Sequence, residues 1–181
     1  MISLKSEITK KMLNYFFLNP HESLYTNELS RKLRLDKRNL AKKIRELEIE
    51  GILTHEVKGN LKLYSINMAY PLYDEYRKII LKTIGFEEGL KEALSKVDGI
   101  KKAYIYGSYA RDKLSAHSDI DLFVVGEHDI ITLQKMLNKL QQDMGREINV
   151  INMDEPELKK RLKRKDTFVC NIVKQENIRL I

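Results

Sequence analysis

Gly107-Ser108, followed after ten residues by Asp119-Ile120-Asp121, is the pattern that most restricts what this chain can become. The run Ala103-Tyr104-Ile105-Tyr106 is apolar and rich in β-formers, so it predicts a strand that stops at Gly107, where a residue without Cβ permits a sharp exit. A short helix should begin near Ser108. The unpaired N–H groups of such a helix start carry partial positive charge and suit the β- and γ-phosphates of a nucleotide. The Ser108 hydroxyl and the Arg111 guanidinium are candidates for the same phosphates, and Ser118, beside the acidic pair, is another nucleotide-binding candidate. Ile120-Asp121-Leu122-Phe123-Val124-Val125 predicts a second, buried strand. Residues two apart on a strand share a face, so Asp119 and Asp121 aim together.

Two aligned carboxylates at the end of an apolar strand repel each other and lose hydration, which is costly unless a cation shares them. Mg²⁺, or Mn²⁺ in its place, suits carboxylate oxygens and commonly brings nucleotide phosphates as further ligands. A lone Asp-x-Asp is most often a solvated turn or cap. The order strand, Gly-Ser turn, short helix, Asp-x-Asp strand is far more specific.

On these residues, positions 100 to 125 resemble the core motif of the DNA polymerase β superfamily, in its small minimal-nucleotidyltransferase branch. The resemblance implies that Gly107 and Ser108 hold a nucleoside triphosphate, with ATP the first choice. It also implies that Asp119 and Asp121 bind two divalent metals and that a third carboxylate on a neighbouring strand completes the site. The implied reaction moves a nucleoside monophosphate to a hydroxyl, with pyrophosphate leaving. The chain departs from the family pattern twice. Asp112 stands where a glycine usually follows Arg111, and the third-acid position falls on Asn149, in the predicted strand Ile148-Asn149-Val150-Ile151 after a helix from about Ile130 to Asp143. Asn offers a carbonyl but no charge, and it cannot act as a base. Glu147 lies two residues earlier, about 6 to 7 Å along the same strand face. It is either a displaced third carboxylate or a solvated strand-end residue.

Composition sets the frame. At 181 residues and 43% hydrophobic content the chain has the makeup of a globular protein of one ordinary domain or two small ones. No apolar run reaches the length of a membrane span and the first residues lack a signal-peptide core, which makes the cytosol the expected location. The single cysteine, Cys170, excludes an internal disulfide and reads as a buried structural thiol. His21, His55, His117 and His128 show no zinc-ligand spacing; His117 lies near the acidic pair and reads as an exposed loop residue.

Positive charge is concentrated at the amino end, where residues 1–70 hold 13 Lys/Arg against 8 Asp/Glu. Eight basic residues fall between Arg31 and Arg45 with Asp36 as the only acid, a density that favours a polyanionic partner. Beneath the charge the period is helical. Ile8, Met12, Tyr15 and Phe16 predict a first helix ending by Asn19-Pro20, and Thr26 can cap a second carrying Leu29 and Leu33. Asp36 can cap a third whose Leu40, Ile44 and Leu47 form the buried stripe, leaving Lys37, Arg38, Asn39, Lys42, Lys43 and Arg45 largely outward. Ile52 to Val57 and Leu61 to Ile66 then predict a hairpin turning at Gly59.

Leu24 through Ile66 thus resembles winged helix-turn-helix regulators, in which the third helix enters the major groove of double-stranded DNA and the wing lies on the backbone. Lys37, Arg38, Lys42, Lys43, Arg45 and, from the wing, Lys62 would then face phosphates, and Asn39 could reach a base edge. The expected fold class is α+β with two domains: a winged helix over residues 1–70, and an α/β nucleotidyltransferase domain with a mixed sheet over 71–181, of which 71–98 are connecting helices. Six basic residues in the seven from Lys159 to Lys165 read as one solvated helix face. The whole order resembles nucleotidyltransferase-domain transcriptional regulators. Two functions stay open: a Mg²⁺-dependent transferase acting on a protein or small-molecule hydroxyl, and a DNA-binding regulator, expected as a homodimer, whose transferase domain senses nucleotide.

Overall fold

The computed structural model describes residues 4–115, 118–174 and 177–181. By contact the chain divides into two compact units, residues 1–88 with 143–145 and residues 89–142 with 146–181.

The first unit runs α1 (Glu7–Leu18), β1 (Leu24–Tyr25), α2 (Thr26–Leu33), α3 (Lys37–Ile49), β2 (Leu53–Lys58), β3 (Leu61–Ile66) and α4 (Tyr73–Thr83). Ser6 opens α1 by accepting a hydrogen bond from the Thr9 N–H at 3.4 Å, and the helix stops before Pro20. Asn19, buried at that stop, donates to the Tyr15 carbonyl at 2.9 Å. Tyr25, not Thr26, takes the cap position of α2. The extended chain of β1 carries Tyr25 up to the helix, and its N–H is satisfied by the Glu28 carboxylate at 2.9 Å. Asp36 caps α3 through the Asn39 N–H at 2.9 Å, and Leu40, Ile44 and Leu47 form the buried stripe that their spacing predicts. The β2–β3 hairpin pairs Lys58 with Leu61, so Gly59-Asn60 is a two-residue turn with Gly59 at φ +66°, and β1 joins on the far side of β3. α4 packs on α1 with Ile80 and Leu81 buried and the Phe17 and Tyr73 rings 5.5 Å apart.

The second unit is built on a four-stranded mixed sheet in the order β6-β5-β4-β7. Its elements are most of α5 (Phe86–Ser95), β4 (Ile100–Tyr106), α6 (Gly107–Ala110), β5 (Ile120–Gly126), α7 (Ile130–Met144), β6 (Ile148–Met153), α8 (Glu155–Lys163), α9 (Thr167–Lys174) and β7 (Ile178–Arg179). β4 runs antiparallel to both β5 and β7; β6 runs parallel to β5 after the α7 crossover. Strand alternation splits the apolar residues between two faces. Tyr104, Phe123, Val125 and Met153 point to one side, where Leu158 of α8 with Val169 and Ile172 of α9 close the core. Ala103, Ile105, Leu122 and Val124 belong to the opposite face and are fully buried. Among the described residues no helix is long and apolar enough to cross a membrane.

Candidate functional site

β4 ends at Tyr106 and the chain turns at Gly107, φ +75°, into the short helix α6. A Cβ at Gly107 would collide with the Oδ2 of Asp121 and lie 3.1 Å from its Cγ, so the absence of a side chain is what lets the carboxyl press against the turn. Register places the acidic pair. Asp121 pairs with Tyr106 across β4–β5 and with Asn149 across β5–β6, and Asp119 stands two residues before it on the same face. The face is the one covered by α8 and α9. Asp119, Asp121 and Asn149 therefore come together at the sheet end where β4 finishes and β5 begins.

The electrostatics of the pair are those of two charges held close. Burial raises the Asp121 carboxyl above its ordinary value of 3.8, the neighbouring Asp119 charge raises it further, and the Arg111 guanidinium partly offsets both. Burial, with the Asp121 charge added, also raises the Tyr106 hydroxyl above 10.0. Asn149 donates its Nδ2 to Asp119 Oδ2 at 3.0 Å, so the amide meets the acidic pair through its donor group. Two carboxylates are hard oxygen donors, and relief of the repulsion at Asp121 is what a divalent cation such as Mg²⁺ or Mn²⁺ would supply. Among the described residues no three His, Cys, Asp or Glu side chains, Glu147 included, are grouped to hold a metal, so further ligands would come from water or substrate phosphates. The Glu147 side chain is exposed, and its backbone carbonyl accepts from the Ile120 N–H at 2.9 Å.

Ser108 is half-buried in α6, and Arg111 is exposed at its end. Asp112, which stands in place of the family's glycine, is exposed with φ +55°; its N–H bonds back to the Tyr109 carbonyl at 3.1 Å. The Ser118 hydroxyl is engaged with Ser115, 2.7 Å from its Oγ and 3.0 Å from its N–H, which fixes the chain just before Asp119. His117 lies outside the described residues. Arg146 was not legible as a site residue. Only 7% exposed, it donates Nη1 to the Ser115 and Ser118 carbonyls at 2.8 and 2.7 Å, and so anchors these two residues ahead of Asp119. A single Arg between Gly145 and a strand carries no spacing that marks it.

In the first unit Lys37, Arg38, Asn39, Lys42 and Arg45 are exposed along α3. Lys43 is half-buried and pairs with Glu46 at 2.6 Å. Lys62 on β3 is exposed and lies 3.7 Å from the Glu48 carboxylate, which also binds the His55 ring.

A strand, a glycine-dependent turn and paired carboxylates on the next strand form the frame of the site. The family described as "Polymerase beta, Nucleotidyltransferase" matches residues 88–175. Two proteins of Methanocaldococcus jannaschii (strain ATCC 43067) match the chain. "Putative protein adenylyltransferase MJ0435" is 38% identical over 68 residues, covering 35% of this chain and 73% of that protein. "Putative protein adenylyltransferase MJ0604" is 36% identical over 81 residues, covering 42% of this chain and 81% of that protein. The chain belongs to the polymerase beta nucleotidyltransferase family. A crystal structure of a toxin-antitoxin with AMP-PNP is 20% identical with a TM-score of 0.39, covering 52% of this chain and 72% of that one.

Proposed function

We propose that the second unit binds ATP with a divalent cation at Gly107, Ser108, Asp119 and Asp121 and transfers its AMP moiety to a hydroxyl, a protein side chain being the first candidate acceptor. The observation that carries this reading is the contact of the Asp121 carboxyl with the Gly107 turn, which sets a phosphate-binding backbone against a charge pair that needs a cation. Support for adenylyl transfer to a protein comes from the names of the two Methanocaldococcus relatives. In the reaction an acceptor oxygen forms a bond to the α-phosphorus, the α–β phosphoanhydride bond breaks, pyrophosphate leaves, and the hydroxyl proton passes to water. The cation, when bound, neutralises the triphosphate and the developing charge on the leaving group. The chain's own groups orient: Asp119 and Asp121 fix the charge centre, Asn149 holds Asp119 in place, Arg146 holds the loop before it, and Arg111 offers positive charge at the end of α6.

The first unit is proposed as a winged helix-turn-helix that binds double-stranded DNA. Its element order, the exposed cations of α3 and the Gly59-Asn60 hairpin support this. A second reading, favoured by the Asn149–Asp119 hydrogen bond in place of a third carboxylate, makes the second unit a nucleotide sensor with little turnover. Transfer of label from ATP labelled at the α-phosphate to protein separates the two. Incorporation by the wild-type protein that Asp119→Asn with Asp121→Asn abolishes supports transfer. No incorporation by the wild type, together with incorporation by Asn149→Asp, supports the sensor.

A further inference from the structure

We propose that Phe168 is the seat for the nucleobase of the substrate whose phosphates lie at Gly107-Ser108, an inference that rests on the nucleotide-binding reading above.

The path of the chain brings Phe168 there. α8 starts from the end of β6 remote from the acidic pair, and the chain then passes through α9 to β7, which pairs with β4 at Tyr104 and Ile105. The turn after α8 reverses the chain through Lys165 at φ +54°, with the Asp166 N–H bonded to the Arg161 carbonyl at 3.0 Å and the Val169 N–H to Asp166 Oδ1 at 3.0 Å. α9 starts at this turn, and Phe168 is in its first turn. The Phe168 ring meets Tyr106 at a centroid distance of 5.9 Å and an angle of 88°. Tyr106 is the residue before Gly107 and the cross-strand partner of Asp121. Phe168 therefore borders the phosphate turn through one intervening side chain.

Phe168 differs in exposure from the other phenylalanines and sits next to the phosphate turn. The chain has five phenylalanines; Phe16, Phe17, Phe86 and Phe123 are at most 1% exposed, whereas Phe168 is 43% exposed. The core contribution of α9 is already made by Val169 and Ile172, at 0% and 3%. The Tyr106 and Phe168 rings are T-shaped rather than stacked, and the exposed part of Phe168 adjoins the Gly107 turn and the acidic pair. Exposed Arg164 and Lys165, on the turn that leads into α9, add positive charge to this end of the helix. A planar base attached to a triphosphate matches this sequence of chemistries: phosphates at the glycine turn, an aromatic face one residue away, cations at the rim. Stacking on an aromatic face tolerates any base, so the seat favours a nucleotide over free triphosphate without by itself choosing the base.

The chain contains no tryptophan, so Phe168→Trp installs a single reporter at the seat. With Mg²⁺ present, ATP should quench its fluorescence while inorganic tripolyphosphate binds without quenching. In calorimetry Phe168→Ala should weaken ATP on the order of tenfold, as expected for loss of one base–aromatic stack, and leave tripolyphosphate affinity unchanged. Phe168→Tyr, which keeps the ring, should retain wild-type ATP affinity. Unchanged ATP affinity in Phe168→Ala, or an equal loss for ATP and tripolyphosphate, overturns the base seat. So does a wild-type protein that binds tripolyphosphate as tightly as ATP, although the phosphate site then stands. A wild type that binds neither removes the nucleotide reading itself and the seat with it.

Discussion

Gly107→Ala tests the packing on which the site depends, because it adds one methyl group at a position with two separate penalties. The left-handed backbone at φ +75° disfavours any residue with a Cβ, at about 1–2 kcal/mol. The new Cβ would also collide with Asp121 Oδ2 and sit 3.1 and 3.4 Å from its Cγ and Cβ, so the carboxyl must swing away from its present rotamer. An off-rotamer side chain costs about 0.5–1.5 kcal/mol, which brings the total to about 1.5–3.5 kcal/mol. Gly59→Ala supplies the control. Gly59 has φ +66° but nothing within 4 Å of the point where a methyl carbon would sit, so only the backbone penalty of about 1–2 kcal/mol applies there. Urea denaturation of both variants, paired with calorimetric titration of ATP and Mg²⁺, reads the difference. Gly107→Ala should be the less stable and should lose ATP binding, whereas Gly59→Ala should bind ATP as the wild type does. Equal destabilisation with intact ATP binding in both variants would refute the argument from the Gly107–Asp121 contact.

Asp121→Asn should be more stable than the wild type at neutral pH. The fold raises the Asp121 pKa, so its ionisation opposes folding fully above the folded pKa and not at all below the ordinary 3.8; the gain should shrink as pH falls toward that value, and a gain independent of pH in thermal melts would count against the assignment. Arg146→Met should strand two carbonyls at the Ser115–Ser118 loop, lowering stability by about 1–3 kcal/mol and weakening Mg²⁺-dependent ATP binding, as melts and calorimetry would read. Asn149→Asp removes the amide donor to Asp119 and adds a third negative charge. Its melting temperature should fall without metal and rise more steeply than the wild type's on Mg²⁺ addition. Lys42→Ala with Lys43→Ala should flatten the salt dependence of DNA affinity, with Lys42 the larger contributor because Lys43 is already paired with Glu46 at 2.6 Å; an unchanged slope in a filter-binding series would remove α3 from the DNA surface.

Much of this arrangement could be read from the sequence because it rests on local rules. The hydrophobic stripe of α3, the Asp36 cap, the Gly59 turn and the alternation of β5 each follow from spacing, and the acidic pair is brought to Gly107 by two adjacent strands. Asn149 is placed by the family resemblance, and the parallel β5–β6 register sets it opposite Asp121. What the sequence concealed depends on chain reversals with no pattern of their own. Tyr25 displaced Thr26 at the α2 cap because β1 continues to the helix edge. Arg146 became a loop clamp only once β6 lay beside β5. Phe168 carries no spacing that marks it, and its exposure follows from Val169 and Ile172 taking the inward face of α9.

The most direct test of the central claim is calorimetric titration of ATP into the full chain with and without Mg²⁺, repeated on Asp119→Asn with Asp121→Asn. Metal-dependent binding is expected in the wild type and its loss in the double variant, with the fold of the variant intact by circular dichroism. Binding that ignores both Mg²⁺ and the two substitutions, or no binding under any condition, would contradict that claim.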